Sequence, residues 1–306
     1  MSSSTAVLER QSSAWLTRLA DYVQLSKPRI ATLVLVVVAT SGYVARWGHP
    51  DALLLLHAVL GTMLVASSAS ALNQLFERRR DRIMKRTANR PLPSGRMGGA
   101  EVVAFALVTV TVGLVYLSVA VNWLAAAWAL ATWLIYVGIY TPMKSHTAGN
   151  TLVGAIAGAL PVFIGWSAVG GTLNAHVDPR GVALFLILFL WQFPHFMAIA
   201  WIYREQYSEA GLQMLTVVDS TGRQAALQAV TTALVLMPVS LVPIVLGAGG
   251  GVWMYVAIAS LLGSAQLVCS IQFLRHRTDR SARRLLRATL LYLPALLTCL
   301  VLATTG

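Results

Sequence analysis

The sequence predicts an all-α, polytopic membrane protein with about nine transmembrane helices. Of its 306 residues, 57% are hydrophobic and only 11% are charged, and the mean hydropathy is +0.69. A soluble domain of this length needs far more charge to cover its surface, so lipid is the expected solvent for most of the chain. Nine apolar runs reach the length of about 17 to 25 residues that a helix needs to span a bilayer. They cover, approximately, residues 30–46, 53–75, 102–120, 123–140, 152–169, 182–203, 225–246, 252–273 and 288–303.

The positions of the basic residues predict how these helices are oriented. If the N-terminus is cytoplasmic, every Lys and Arg except Arg46 and Arg180 falls in a cytoplasmic segment, as the positive-inside rule requires. We expect the chain to lie in a bacterial cytoplasmic (inner) membrane, with the lipid bilayer as a partner. The net charge of +12 is then a topology signal, and no nucleic acid is expected as a partner. The predicted cytoplasmic segments are residues 1–29, 76–100, 141–151, 204–224 and 274–287.

The chain is predicted to consist of a cytoplasmic N-terminal segment, residues 1–29, and a single intramembrane domain, residues 30–304. Residues 1–24 are polar with scattered charge, and no apolar core precedes a small-residue cleavage site. A cleavable secretory signal is therefore not expected.

The most informative stretch begins at the end of the second apolar run. Asn73, Glu77 and Asp81 recur every four residues, so on a helix they share one face over roughly 12 Å. Carboxylate and amide oxygens on one face form a site for a hard cation. Mg²⁺ usually takes one or two carboxylates and completes its shell with water and phosphate oxygens. The alternative is a surface helix with ion pairs between residues four apart.

Basic residues follow this acidic face directly. Lys85, Arg86 and Arg90 are within reach and suit an anionic phosphate. Acids for a metal beside bases for a phosphate are what the ionisation of an allylic diphosphate requires, because charge accumulates on the leaving group. We therefore predict that the acidic face is catalytic and binds Mg²⁺, and that the three bases bind the diphosphate.

Two more polar features lie on the same predicted side of the membrane. Glu205 and Glu209 share a helix face after the sixth apolar run, and the prediction is that they hold a second metal on the same diphosphate, with Glu205 also catalytic. The alternative is a solvated loop. Lys144 is the one cation of the predicted loop 141–151 and is predicted to reach a phosphate, unless it is a lysine that snorkels at a helix end.

The sixth apolar run contains an ionisable residue, His195, directly after Pro194. It lies about ten residues from Glu205, which places it roughly 15 Å below the acidic rim. An ionisable residue at that depth is a functional candidate, and its predicted role is contact with a bulky aromatic acceptor such as a porphyrin. The alternative is a histidine that is hydrogen-bonded to a neighbouring helix.

Together these residues resemble the UbiA-type intramembrane prenyltransferases from residue 25 to about residue 215. The matching motifs are LSKPR at 25–29, the Asn73–Glu77–Asp81 spacing, RT at 86–87 and RPLP at 90–93. Three further motifs resemble the haem branch of the family more than the quinone branch: YTPMK at 140–144 with Asn150, WQFPHF at 191–196 and YSEAG at 207–211.

The resemblance implies a nine-helix bundle around a central cavity that two polar cytoplasmic loops cap. It implies Mg²⁺-dependent transfer of a farnesyl group from farnesyl diphosphate to a vinyl carbon of haem B, followed by capture of water, which makes haem O for respiratory oxidases. A downstream haem-modifying enzyme or an oxidase assembly factor is implied as a further partner. The expected acceptor-binding residues are His195, Asn150 and Tyr140. Gln206 stands where many haem-branch members carry Asp, which leaves Glu205 and Glu209 for the second metal.

Two other functions fit parts of the sequence. One is a UbiA-type prenyltransferase that acts on an aromatic precursor of a quinone or chlorophyll. The other is a cation-coupled transporter, in which intramembrane acids bind ions near the midplane. Here the acids lie at the predicted rim beside bases, which favours phosphate chemistry.

Overall fold

The computed structural model describes residues 15–174, 178–245 and 251–304. Within these residues, nine helices are long and apolar enough to cross a membrane, which confirms the predicted all-α, multi-pass architecture. We number them from the first to the ninth membrane helix. They span Pro28–Ala45, Ala52–Asp81, Gly99–Ala120, Trp123–Met143, Asn150–Ala168, Arg180–Ile202, Arg223–Ile244, Val252–His276 and Asp279–Thr304. Shorter helices cover residues 15–25, Arg204–Glu209 and Leu215–Val218.

Several helix ends differ from the hydropathy-based prediction because polar residues extend the helices. The second membrane helix continues past residue 75 to Asp81. It begins at the cap formed by Asp51, whose Oδ1 accepts the backbone N–H groups of Leu53 and Leu54 at 3.0 Å each, as an N-cap aspartate does. The ninth membrane helix begins at Asp279, nine residues before the predicted start of the apolar run at 288.

The first and fifth membrane helices cross at two glycines. A Cβ atom on Gly165 would lie 2.0 Å from the backbone oxygen of Val38, and one on Gly42 would lie 2.9 Å from the backbone oxygen of Gly165. Small residues let membrane helices approach closely, which is the main source of attraction between them in lipid. The fifth membrane helix is accordingly the most enclosed of the nine.

The fourth membrane helix contains a π-helical stretch, Ile135–Tyr140. The hydroxyl of Thr141 donates to the backbone oxygen of Tyr136 at 2.8 Å. The centres of the Tyr136 and Tyr140 rings are 5.3 Å apart. Such stretches are frequent at functional sites.

The two long polar segments, residues 82–98 and 203–222, lie at the same end of the bundle, which we call the loop end. They contact each other through a small apolar cluster of Met84, Tyr207, Ala210 and Leu212. The acidic face of the second membrane helix ends directly beneath this contact.

Candidate active site

The predicted acidic face is present at the loop end of the second membrane helix. Asn73 and Asp81 are fully buried, and Glu77 is 8% exposed. The simple surface helix with ion pairs, which was the alternative interpretation of this spacing, would leave these side chains in water. Polar groups buried in this way need partners.

Each of the three residues contacts a basic side chain from a different segment. Lys27 Nζ donates to Asn73 Oδ1 at 2.5 Å, Lys144 Nζ donates to Glu77 Oε1 at 2.7 Å, and Arg90 Nη1 donates to Asp81 Oδ2 at 2.6 Å. We call these contacts the three cation pairs. The structure therefore brings the predicted Lys144 and Arg90 together with the acidic face.

Lys27 was not among the predicted site residues. It has a left-handed backbone (φ 50°, ψ 64°) directly before Pro28, the first residue of the first membrane helix. This conformation is uncommon and costly for a residue with a side chain, and here it accompanies the contact of Lys27 with Asn73. Burial lowers the pKa of Lys27 to about 7, although the Glu77 carboxylate partly offsets that effect. The signal in the sequence was the LSKPR motif, which carried the resemblance but no assigned role.

The π-helical stretch positions Lys144. Its Nζ lies 4.5 Å from the centre of the Tyr140 ring, and the Thr141 hydroxyl accepts a hydrogen bond of 3.1 Å from Asn73 Nδ2. Burial opposes the charged form of Lys144, but the Glu77 carboxylate outweighs burial and holds the pKa of Lys144 above its usual range. A lysine that merely snorkels would not be held by a carboxylate and a ring in this way.

The predicted Lys85 and Arg86 lie in the segment 82–98. Lys85 is exposed. The Arg86 guanidinium lies over the rings of Tyr203 (4.8 Å) and Tyr207 (5.8 Å) and donates to the Tyr207 hydroxyl at 3.3 Å. Arg86 thus links the two polar segments of the loop end.

The second predicted metal pair is placed differently from the acidic face. Glu205 and Glu209 are both exposed, and the only ion pair of Glu205 in the described residues is a distant one with Arg204 (3.8 Å). Tyr207 is the buried residue of the short helix Arg204–Glu209. Within the described residues, no group of three or more Asp, Glu, His or Cys side chains is arranged to hold a metal. The structure does not bring Glu205 and Glu209 together with Glu77 and Asp81.

The acidic face itself fits a single Mg²⁺ ion. Asp81 Oδ1 is buried and has no hydrogen-bond partner, which is costly for a carboxylate oxygen unless a cation binds it. Two carboxylates with one amide oxygen are within the donor set that Mg²⁺ accepts when substrate phosphates complete its shell. Asn73, Glu77 and Asp81 are the residues that would hold the ion.

His195 lies deeper in the bundle and is hydrogen-bonded to the ninth membrane helix. Its Nδ1 is 3.0 Å from Thr289 Oγ1, and the Thr289 hydroxyl itself donates to the backbone oxygen of Leu286 at 2.8 Å. Because that hydrogen is already used, His195 Nδ1 must carry the proton of the bond. Nε2 then has the free lone pair. The His195 ring also stacks on Trp191 at 4.9 Å.

The other two predicted acceptor residues lie nearer the rim. A Cβ atom on Gly154 would be 2.6 Å from Tyr140 Cε2, so the missing side chain lets the Tyr140 ring pack against the fifth membrane helix. Asn150 is fully buried, and its Nδ2 donates to the backbone oxygens of Thr147 (2.6 Å) and Gln213 (3.0 Å). Its Oδ1 has no partner.

Comparison with known proteins identifies the family. Residues 33–296 match the model of the UbiA prenyltransferase family. The "Protoheme IX farnesyltransferase" of Rhodopirellula baltica is 43% identical over 288 residues, which cover 92% of this chain and 98% of that protein.

Two solved structures share the fold at low sequence identity. One, described as digeranylgeranylglyceryl phosphate synthase in membranes, has a TM-score of 0.78 at 17% identity and covers 94% of this chain and 99% of its own. The other, a UbiA homologue from Archaeoglobus fulgidus bound to DMAPP and Mg²⁺, has a TM-score of 0.71 at 14% identity, with 93% and 99% covered. The match to the family model and the relative at 43% identity lead to one conclusion: the chain is a membrane-embedded enzyme that belongs to the UbiA prenyltransferase family.

Proposed function

We propose that the chain transfers a farnesyl group from farnesyl diphosphate to a vinyl group of haem B and so makes haem O. The observation that carries the proposal is the acidic face with its three cation pairs, enclosed at the loop end. The name of the Rhodopirellula baltica relative, which matches nearly the full length of both chains, supports haem B as the acceptor.

The first step is an exchange of partners at the acidic face. Lys144 and Arg90 now neutralise Glu77 and Asp81, and Lys27 donates to the amide oxygen of Asn73, so each group that would bind a metal has a cationic partner. When the diphosphate binds, these cations turn to its oxygens, which leaves Glu77 and Asp81 as the carboxylates that would hold Mg²⁺. Bound Mg²⁺ supplies further positive charge to the leaving group. The three cations then stabilise the negative charge that develops as the allylic C–O bond breaks.

The aromatic rings next to Lys144 have a role in the same step. Tyr140 now faces the Lys144 ammonium, and the ring of Tyr136 lies beside it. An aromatic face attracts a cation most strongly where water is excluded. After Lys144 has turned to the diphosphate, these rings can stabilise the allylic cation until it adds to the acceptor.

His195 is proposed to bind or orient the acceptor. Its depth keeps it away from the diphosphate, and its Nε2 lone pair is directed by the bond from Nδ1 to Thr289. The farnesyl cation adds to the outer carbon of a haem vinyl group. The resulting cation takes the oxygen of a water molecule, which loses a proton and leaves a hydroxyl group.

The remaining predicted residues are assigned as follows. Lys85 and Arg86 attract the diphosphate at the rim, and Asn150 supports the acceptor side. Glu205 and Glu209 are proposed to hold a second Mg²⁺ only if the helix Arg204–Glu209 turns its exposed side inward, since both side chains are exposed whereas Glu77 and Asp81 are buried. We place the loop end and the N-terminus in the cytoplasm of a bacterial cell, on the basic-residue distribution.

The test uses the purified chain in detergent with Mg²⁺, farnesyl diphosphate and haem B, and identifies the product by chromatography and mass spectrometry. We expect a haem with the added mass of a farnesyl group and one hydroxyl group. The matched reaction replaces haem B with a hydroxybenzoate acceptor and should give no product. Prenylation of the hydroxybenzoate with unchanged haem B would contradict the proposed acceptor.

A further inference from the structure

The helix formed by residues 15–25 has two opposite faces. At about 100° per residue, Trp15, Leu16, Leu19 and Val23 fall within about 100° of arc on this helix. Their exposed fractions are 77%, 68%, 62% and 50%. We call these four side chains the apolar stripe. An exposed stripe of this kind in a helix points to a surface that binds something apolar.

The other face is packed against the second and third membrane helices. Leu25 is fully buried in a cluster with Ala71 and Leu92, and its backbone oxygen accepts a hydrogen bond of 2.7 Å from Gln74. The Tyr22 hydroxyl donates to Glu101 Oε1 at 2.7 Å. The helix therefore has a fixed orientation, and the stripe faces away from the bundle.

Arg96 connects this helix to the segment 82–98. Arg96 Nε donates to Asp21 Oδ1 at 2.8 Å, and Nη2 donates to Gln24 Oε1 at 3.0 Å and to the backbone oxygen of Asn89 at 3.1 Å. Arg18 in turn donates to the backbone oxygen of Arg96 at 2.6 Å. Asn89 directly precedes Arg90, the cation that pairs with Asp81.

The same helix also positions a second cation. It ends two residues before Lys27, which contacts Asn73. Two of the three cation pairs, those of Lys27 and Arg90, therefore depend on where the helix 15–25 lies. The third pair, that of Lys144, does not depend on this helix, because Lys144 directly follows the fourth membrane helix.

Lipid is the occupant that fits the stripe. The first membrane helix begins at Pro28, three residues after the helix 15–25 ends, so the stripe lies at the membrane boundary. Ile30, in the first turn of that membrane helix, is also apolar and 58% exposed, so the exposed apolar surface continues into the membrane helix. Exposed Arg29 between them suits anionic headgroups. Amphipathic helices with Trp and Leu on the apolar face lie in this interface.

We propose that the apolar stripe inserts into the leaflet at the loop end, and that this anchor holds Lys27 and Arg90 in register with the acidic face. The second half of the proposal rests on the proposed function. The first half does not, since it concerns only the surface of the protein.

The first experiment measures where the stripe lies and needs no activity. Cys269 and Cys299 are replaced by Ser, and a fluorophore is attached at Leu19→Cys or, as the matched control, at Asn89→Cys, an exposed position of the segment 82–98. In liposomes with a quencher near the lipid headgroup, the label at 19 should be quenched about threefold more than the label at 89. Equal quenching would overturn the proposal. Energy transfer between labels at position 19 of two copies would also overturn it, because the stripe would then bind a second copy. Protection of that label from both lipid and aqueous quenchers would overturn it as well, because residues 1–14 would then cover the stripe.

The second experiment tests the coupling to the cations. In liposomes, Leu16→Ser with Leu19→Ser should raise KM for farnesyl diphosphate about fivefold to tenfold and leave KM for haem B unchanged. The apolar double variant Leu16→Met with Leu19→Met should keep the wild-type KM for farnesyl diphosphate. Val119→Ser removes a side chain that is 83% exposed at the opposite end and should change neither constant. An unchanged KM for the diphosphate, or an equal loss for both substrates, would overturn the coupling. If the wild-type chain transfers no farnesyl group, the proposed function fails while the quenching result still stands.

Discussion

Three polar residues on one helix face contact three basic side chains that come from three separate segments. Asn73, Glu77 and Asp81 could be placed on one face from their spacing alone. Their basic partners could not all be predicted from the sequence. Lys27 contacts Asn73 from a left-handed backbone conformation, which the pattern of side chains does not predict. Lys144 could be predicted because it is the one cation of the loop 141–151, and Arg90 because it follows the acidic face closely in the sequence.

The acidic face gives the first prediction at this scale. Glu77→Gln and Asp81→Asn should each lower kcat for farnesyl transfer about a hundredfold or more, because each removes a carboxylate that would hold Mg²⁺, whose positive charge stabilises the leaving group. Both variants should insert and fold, since they keep the shape of the side chain. Steady-state kinetics at saturating Mg²⁺ measures the effect. Asp279→Asn, which changes an exposed acid at the same end, is the matched control and should keep normal turnover. Normal turnover in Glu77→Gln would show that the acidic face has no role in the mechanism.

The deep histidine gives the second prediction. His195→Ala should weaken haem binding about tenfold or more and spare farnesyl diphosphate binding, since the ring is too far from the acidic face to touch the diphosphate. Thr289→Val should produce a smaller loss of haem affinity, because His195 Nδ1 then has no acceptor and the tautomer is no longer fixed.

Binding of each substrate to the purified variants, measured by titration, separates these effects. His57→Ala is the matched control, because His57 is also a membrane histidine, with Nδ1 2.6 Å from the Tyr116 hydroxyl, but has no proposed acceptor role. Loss of diphosphate affinity with normal haem affinity in His195→Ala would show that the acceptor role is wrong. The depth of His195 could be predicted from the sequence, whereas its tautomer could not, because Thr289 is 94 residues away.

At the scale of the element, hydropathy predicted the nine membrane helices but not their polar ends. The four-residue spacing of Asn73, Glu77 and Asp81 predicted the helical continuation of the second membrane helix. The second membrane helix continues to Asp81 because the acidic face is buried against neighbours, which an apolar count does not register. Residues 15–25 were predicted as part of a polar segment. Their apolar stripe has a helical period that is visible in the sequence, but scattered charges such as Arg18 and Asp21 masked it.

The crossing of the first and fifth membrane helices gives the third prediction. Gly165→Ala should destabilise the protein by about 1 to 3 kcal/mol, because the added methyl group would overlap the backbone of Val38 and the helices must separate. Gly138→Ala is the matched control, since nothing lies within 4 Å of its added Cβ. Thermal unfolding in detergent measures both. An equal Tm for the two variants would show that the crossing is loose.

At the scale of the whole molecule, the basic residues predict an orientation in the membrane, and this orientation is the fourth prediction. In a variant without Cys269 and Cys299, a cysteine at Gly98 should react only with reagents on the cytoplasmic side. A cysteine at His49, which is exposed at the opposite end, should react only from the other side. Gly98 is suitable because its added Cβ meets nothing within 4 Å. Gly222 is not, because a Cβ there would lie 2.1 Å from the Trp201 ring.

Labelling of Gly98→Cys from the outside of intact cells would show that the orientation is the reverse of the predicted one. The acidic face would then lie on the outer side of the membrane. The fold and the family would be unaffected by that result, since neither depends on direction.

The most direct measurement is the haem composition of a bacterial strain that lacks its own haem O-forming enzyme and expresses this chain. Haems extracted from its membranes are separated by chromatography and identified by mass. The prediction is haem O with the wild-type chain and only haem B with Glu77→Gln, at equal amounts of inserted protein. Only haem B with the wild-type chain, or haem O with both chains, would contradict farnesyl transfer at the acidic face.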